Sequence, residues 1–131
     1  MKRILVAIGF VFLIASCSKS DNVTTPETVA ASETKNVAYA TADPLENMDV
    51  YLPAGRNASS TNCVVIIHGG SWNSGDKSDM DSALLAFKKL LPEYAFFNIN
   101  YRFANGTTTL ATEQINDVNA AVDFIVTKAN E

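Results

Sequence analysis

The stretch His68-Gly69-Gly70-Ser71-Trp72, followed by Gly75-Asp76-Lys77, gathers the residue types from which chemistry can be built. It directly follows the apolar run Cys63-Val64-Val65-Ile66-Ile67. A chain that leaves a buried strand through two glycines and a turn presents successive backbone N–H groups to an acceptor. Two side chains in the turn invite a catalytic role. Ser71 fails the register of a nucleophile elbow, because G-x-S-x-G would need glycine where Asn73 stands. His68 is the only histidine of the chain and lies inside the turn, which leaves no separate general base for a serine. His68 is therefore read as a strand-end residue bonded to backbone, and Trp72 as a lid packed over the turn. Asp76, Asp79 and Asp81 lack the glycine and closing glutamate of an EF-hand loop, so they read as helix N-terminal charges and no metal site is expected.

The elements that must position this turn follow from apolar periodicity. The unbroken run Cys63–Ile67 reads as a strand covered on both faces, as in parallel sheets. Residues 94–99 read as a second buried strand, residues 48–52 alternate as a half-exposed strand, and residues 37–40 form a weaker candidate. Between the two buried strands lies a helix. Ser78-x-x-Asp81 resembles its capping box, Lys88 and Lys89 sit near its negative end, and Pro92 stops it. Met80, Leu84, Phe87 and Leu91 share one face. A second helix spans about residues 112–129, with Ile115, Val118, Val122 and Ile125 on one stripe. The order β, β, β, α, β, α predicts an α/β fold: a mixed, mostly parallel sheet of about four strands with two helices on its faces.

The N-terminal segment reads differently. Lys2 and Arg3 precede an apolar stretch over residues 4–15, and small residues precede Cys17, the pattern of a secretory signal. Ile14-Ala15-Ser16-Cys17 resembles a bacterial lipobox, which implies lipidation at Cys17 and an exported protein anchored to a bacterial membrane. Residues 1–16 are then a signal peptide and 17–36 a flexible tether, since Val23 and Val29 are its only large apolar residues. Residues 37–131 form a single domain, which the resemblance described next implies is incomplete. The net charge of −4 becomes more negative once Lys2 and Arg3 leave, and Lys and Arg are unclustered, which argues against nucleic acid. Cys63 is the only cysteine beyond the anchor, so no intrachain disulfide is expected.

Four blocks in order carry a resemblance. Asp49-Val50-Tyr51-Leu52-Pro53, the His68 turn, Asn100-Tyr101-Arg102, and the segment from Asp117-Val118-Asn119 to Asp123-Phe124 resemble the N-terminal part of α/β-hydrolases of the carboxylesterase, feruloyl-esterase-like and hormone-sensitive-lipase-like groups. The resemblance implies that the turn is an oxyanion hole: Gly70 and Ser71 supply N–H donors, and Gly69 lets the chain pass tightly. His68, Trp72, Gly75, Asp76, Tyr101, Arg102 and Asp117 would support it, with Arg102 and Asp117 paired. The implied chemistry is hydrolysis of a carboxylic ester, such as an acylated carbohydrate, by a serine nucleophile without a cofactor.

In that family nucleophile, acid and histidine follow the second helix, whereas this sequence ends at Glu131. No catalytic residue is therefore assigned, and the chain alone is expected to be inactive. The family sheet order 1-2-4-3-5 would leave the strand over Cys63–Ile67 at an edge, open to a missing C-terminal half or to self-association. Two alternatives remain: a non-catalytic surface lipoprotein that binds a partner through that edge, and one half of a split esterase. A nucleotide-binding sheet ranks last, because the turn lacks G-x-G-x-x-G and a P-loop lysine.

Overall fold

A computed structural model describes residues 29–109 and 111–129. Its elements are β1 (Ser32–Ala38), β2 (Asn47–Leu52), β3 (Cys63–Ile67), α1 (Asp81–Leu90), β4 (Ala95–Ile99) and α2 (Ala111–Lys128), with a 3-10 turn over Lys77–Met80 leading into α1. The four strands form one sheet in the order β1-β2-β4-β3.

β3 and β4 run parallel because α1 carries the chain back across the sheet between them. The other two pairings, β1 with β2 and β2 with β4, are antiparallel. The sheet is therefore mixed but mostly antiparallel, contrary to the expected parallel majority. A helix crossover is what parallel neighbours require, and only one pair of strands has it; β1 and β2 are joined by a loop too short for one.

The sheet also starts earlier than apolar content indicates. Residues 32–36, assigned to the tether, form most of β1. Their side chains are exposed, and the strand is held by backbone pairing to β2 and by ion pairs from Lys35 to Asp49 and from Lys88 to Glu33. Asn36, at a φ of 55°, sits where the register shifts between Thr34 and Val37. The signal peptide, Cys17 and the start of the tether lie outside the described residues.

Alternation along the strands divides the interior in two. On one face Met48, Phe97 and Ile99 pack with Ala121 and Ile125 of α2. On the other Tyr51, Ile66 and Phe96 pack with Leu84 of α1. All five residues of β4 are buried, as its central place dictates.

The expected stripe of α1 holds except at Phe87, and that of α2 holds at Val118 and Ile125 but not at Ile115 and Val122. Leu84 is buried and Met80 and Leu91 pack beside it, but Phe87 faces outward. In α2 the buried positions are Gln114, Asp117, Ala121 and Ile125, while Ile115 and Val122 are exposed. Polar side chains at 114 and 117 anchor the helix to the loops above the sheet, and that anchoring sets its rotation. As expected, β3 lies at the sheet edge and among the described residues pairs with β4 alone. Ile67 at its end is 44% exposed.

Candidate functional site

The β3–β4 register pairs Ile67 with Ile99, so His68 and Asn100 leave the sheet side by side at the carboxyl ends of parallel strands. That is where open α/β sheets bind ligands. The turn that follows is left-handed through Gly70 (φ 124°), Ser71 (52°) and Trp72 (68°). Gly70 O accepts from Asn73 N at 3.2 Å, Ser74 N at 3.1 Å and Ser74 Oγ at 2.9 Å. This folds the chain so tightly that a Cβ on Gly70 would lie 1.9 Å from Ser74 O.

Gly75 has a similar reason to be glycine: its Cβ would stand 2.6 Å from His68 Nδ1. Gly69 does not. A Cβ there meets nothing within 4 Å among the described residues, so they show no tight passage at Gly69, which borders open space between them. The amides of Gly70 and Ser71 donate to no group among the described residues.

Two consecutive non-glycine residues at positive φ cost about 1–3 kcal/mol each, so their surroundings must hold them. The Trp72 carbonyl does much of this, accepting from Ala104 N at 2.8 Å and from Gln114 Nε2 at 2.5 Å. The indole leans on Tyr101, with centroids 6.2 Å apart, yet remains 57% exposed. It covers the turn only in part, less than the lid expected.

His68 is buried and stacked on Tyr101 at 4.5 Å, with Phe103 edge-on at 6.3 Å. Its Nδ1 lies 2.6 Å from Gly69 O, the backbone bond expected of a strand-end histidine. With Nδ1 donating to that carbonyl, Nε2 of a neutral ring is left as an acceptor, and it has no partner among the described residues. Tyr101 closes the arrangement by donating from its hydroxyl to His68 O at 3.0 Å; burial pushes that hydroxyl's pKa up.

Beneath the turn lies a polar network on the α1 face. Asp76 caps the 3-10 turn, accepting from Ser78 N at 2.8 Å, while its own N–H donates to Asp79 Oδ2 at 2.9 Å. The capping box is thus Asp76-x-x-Asp79, ahead of the expected Ser78-x-x-Asp81. The Ser78 N–H and the Asn100 amide hold the Asp76 carboxyl at about 2.

Lys77 is buried. Its Nζ donates to Asn36 Oδ1 and Asn47 Oδ1, both at 2.7 Å, and lies 3.5 Å from Asp49 Oδ1. Its backbone is clasped by Asn100 Oδ1 at 2.6 Å and Asn98 Nδ2 at 2.7 Å. Sequence reasoning passed over Asn36, Asn47, Asn98 and Gln114. The available signal for Asn98 was an amide inside an otherwise apolar buried strand.

Arg102 and Asp117 are paired as expected. Nη2 donates to Oδ1 at 2.6 Å, Nε reaches both carboxylate oxygens at 3.0–3.1 Å, and the Arg102 N–H adds a bond at 2.9 Å. These bonds raise the guanidinium pKa, and Glu46 stands 3.6 Å behind. The loop after β4 is thereby fastened to α2.

A sheet with this strand order, a glycine turn at its carboxyl edge and free amides beyond it define part of an esterase-like α/β-hydrolase. The BD-FAE family model matches residues 48–131, more than half of the chain, and the chain belongs to that family.

Solved structures agree on the fold. A truncated carbohydrate esterase from gut microbiota is 27% identical, with a TM-score of 0.60, over 79% of this chain and 36% of its own. The bifunctional GH43-CE of Bacteroides eggerthii is 31% identical, with a TM-score of 0.56, over 74% of this chain and 13% of its own. Esterase B from Lactobacillus rhamnosis, in an inhibited form, has a TM-score of 0.58 at 23% identity over 72% of this chain and 30% of its own. The chain thus spans about a third of the length of the truncated esterase and of esterase B. No curated protein matches it.

Proposed function

We propose that this chain supplies the oxyanion hole of a serine esterase whose nucleophile, acid and base come from polypeptide beyond it. The carrying observation is the pair of undonated amides at Gly70 and Ser71, held in a left-handed turn at the carboxyl ends of β3 and β4. Such donors stabilise the negative oxygen that forms when an ester carbonyl is attacked. The open space beside Gly69 gives that oxygen room to approach. The substrate class, an acyl ester on a carbohydrate, rests on the family and on the carbohydrate esterase among its similar structures.

One missing oxyanion donor costs about 10²- to 10³-fold in rate, whereas a missing triad costs about 10⁶-fold. The chain alone should therefore leave a chromogenic acetate ester at its background rate. Co-expression with a family polypeptide carrying G-x-S-x-G and a later histidine should restore hydrolysis, and Gly69→Ala should reduce it. Turnover by the chain alone that disappears in Ser71→Ala would overturn the reading.

The free edge of β3 favours a second reading, a non-catalytic role in which a partner strand or a second copy pairs there. A monomer at every concentration, with one sharp melting transition, would remove it. Export and lipid anchoring at Cys17 complete the proposal and rest on the N-terminal sequence; among the described residues no helix is long and apolar enough to cross a membrane. Metabolic labelling with a radioactive fatty acid, lost in Cys17→Ala, tests that part.

A further inference from the structure

We infer that Gln114 is the positioning residue that sets the aim of the oxyanion turn, an inference that rests on the reading of the turn given above. Its side chain is fully buried on the sheet-facing side of α2, in line with Ala121 and Ile125. At such a position an apolar residue would pack without needing any partner. Gln114 instead directs one amide group at two separate loops: Nε2 donates to Trp72 O at 2.5 Å and to Arg102 O at 2.9 Å. Its Oε1 accepts from nothing among the described residues, so this position carries a buried acceptor that a hydrocarbon would not. The donor is what the position uses.

The target matters as much as the bond. Trp72 O belongs to the second of two non-glycine residues held at positive φ, so its bond holds the end of the left-handed stretch whose Gly70 and Ser71 amides donate to nothing among the described residues. Arg102 is itself locked to Asp117 one helical turn further along α2. Gln114 therefore ties the turn after β3 to a loop that is already fixed. Without it, Ala104 N would be the remaining donor to the Trp72 carbonyl.

The test uses the full chain, ¹⁵N-labelled, with emission from its single tryptophan and amide hydrogen exchange as readouts. Gln114→Leu keeps the volume and removes the donor. Asn73 and Ser74 amides should exchange about 10-fold faster relative to the Phe97 amide of β4, and Trp72 emission should shift. Gln114→Glu should behave alike at pH 7, where a carboxylate has no proton to donate. Lowering the pH through the carboxyl's own titration, which burial moves up from about 4.3, lets the acid donate again, and both signals should return toward wild type in Gln114→Glu but not in Gln114→Leu. Equal acceleration at Phe97, or no change at Asn73 and Ser74, would overturn the inference, as would a Glu variant that ignores pH. Neither readout needs a substrate. Moved signals beside an inert complemented enzyme would remove the esterase reading and keep the clamp; unmoved signals beside an active one would remove the clamp alone.

Discussion

The turn that leaves the carboxyl end of β3 and the outer edge of the same strand are differently built. At its carboxyl end, the turn from His68 to Lys77 is tied down from every side: by Tyr101 and Asn100 after β4, by Gln114 of α2, and by Asn36 and Asn47 of β1 and β2. Along its outer edge the same strand pairs with nothing among the described residues and Ile67 is open; Ile115, Val122 and Val126 of α2 are exposed as well. Polar bonds between distant segments make the first region rigid without help. The second leaves an edge of backbone groups that another strand would suit, and single apolar side chains open. A donor site of fixed geometry can thus be finished inside a sheet that is not.

Substitutions can break this contrast from either side. The largest effect is expected at Asp117→Ala, which strands the Arg102 guanidinium and frees the loop after β4; urea denaturation should show a loss of about 3–5 kcal/mol. Stability equal to wild type there would mean that the tied region is not tied by this pair. Gly70→Ala comes next. Its Cβ would collide with Ser74 O, and a loss of about 2 kcal/mol is expected in the same assay. Tyr39→Phe removes a buried bond of 2.7 Å to Asn100 O and should cost about 1 kcal/mol.

A smaller effect reads out in acid. The Asp76 carboxyl, ordinarily near 3.8, is held at about 2 in the folded chain, so its contribution is complete above the unfolded value and is lost as pH falls through the folded one. Thermal melts between about pH 4 and 2 should fall more steeply for wild type than for Asp76→Asn. At the open edge, Ile67→Lys should change stability by less than about 0.5 kcal/mol while lowering any self-association seen by sedimentation. A large loss there would show that the edge contributes to the fold and is not merely exposed.

Legibility in the sequence divides along the same line. The turn was readable as one compact block, and the Arg102–Asp117 pair and the edge position of β3 through the family resemblance that several such blocks carry. What joins those blocks was not. Gln114 and Trp72 are far apart in the chain, and Lys77 meets Asn36 and Asn47 only after the sheet has assembled. A polar residue on a helix gives no sign of such a meeting; periodicity rates Ile115 as the inward position and Gln114 as a neighbour of no account. Residues 32–36 of β1 were missed for the opposite reason. Its stability lies in backbone pairing, and a strand whose side chains face water shows no apolar rhythm.

The bond from Asn36 to Lys77 gives β1 a reach beyond its own edge of the sheet. Proteolytic trimming through this strand would withdraw an amide oxygen from a buried ammonium and loosen the turn from a distance. Processing at the N-terminal side would then act as a dial on the donor site, although no atom removed lies within that turn.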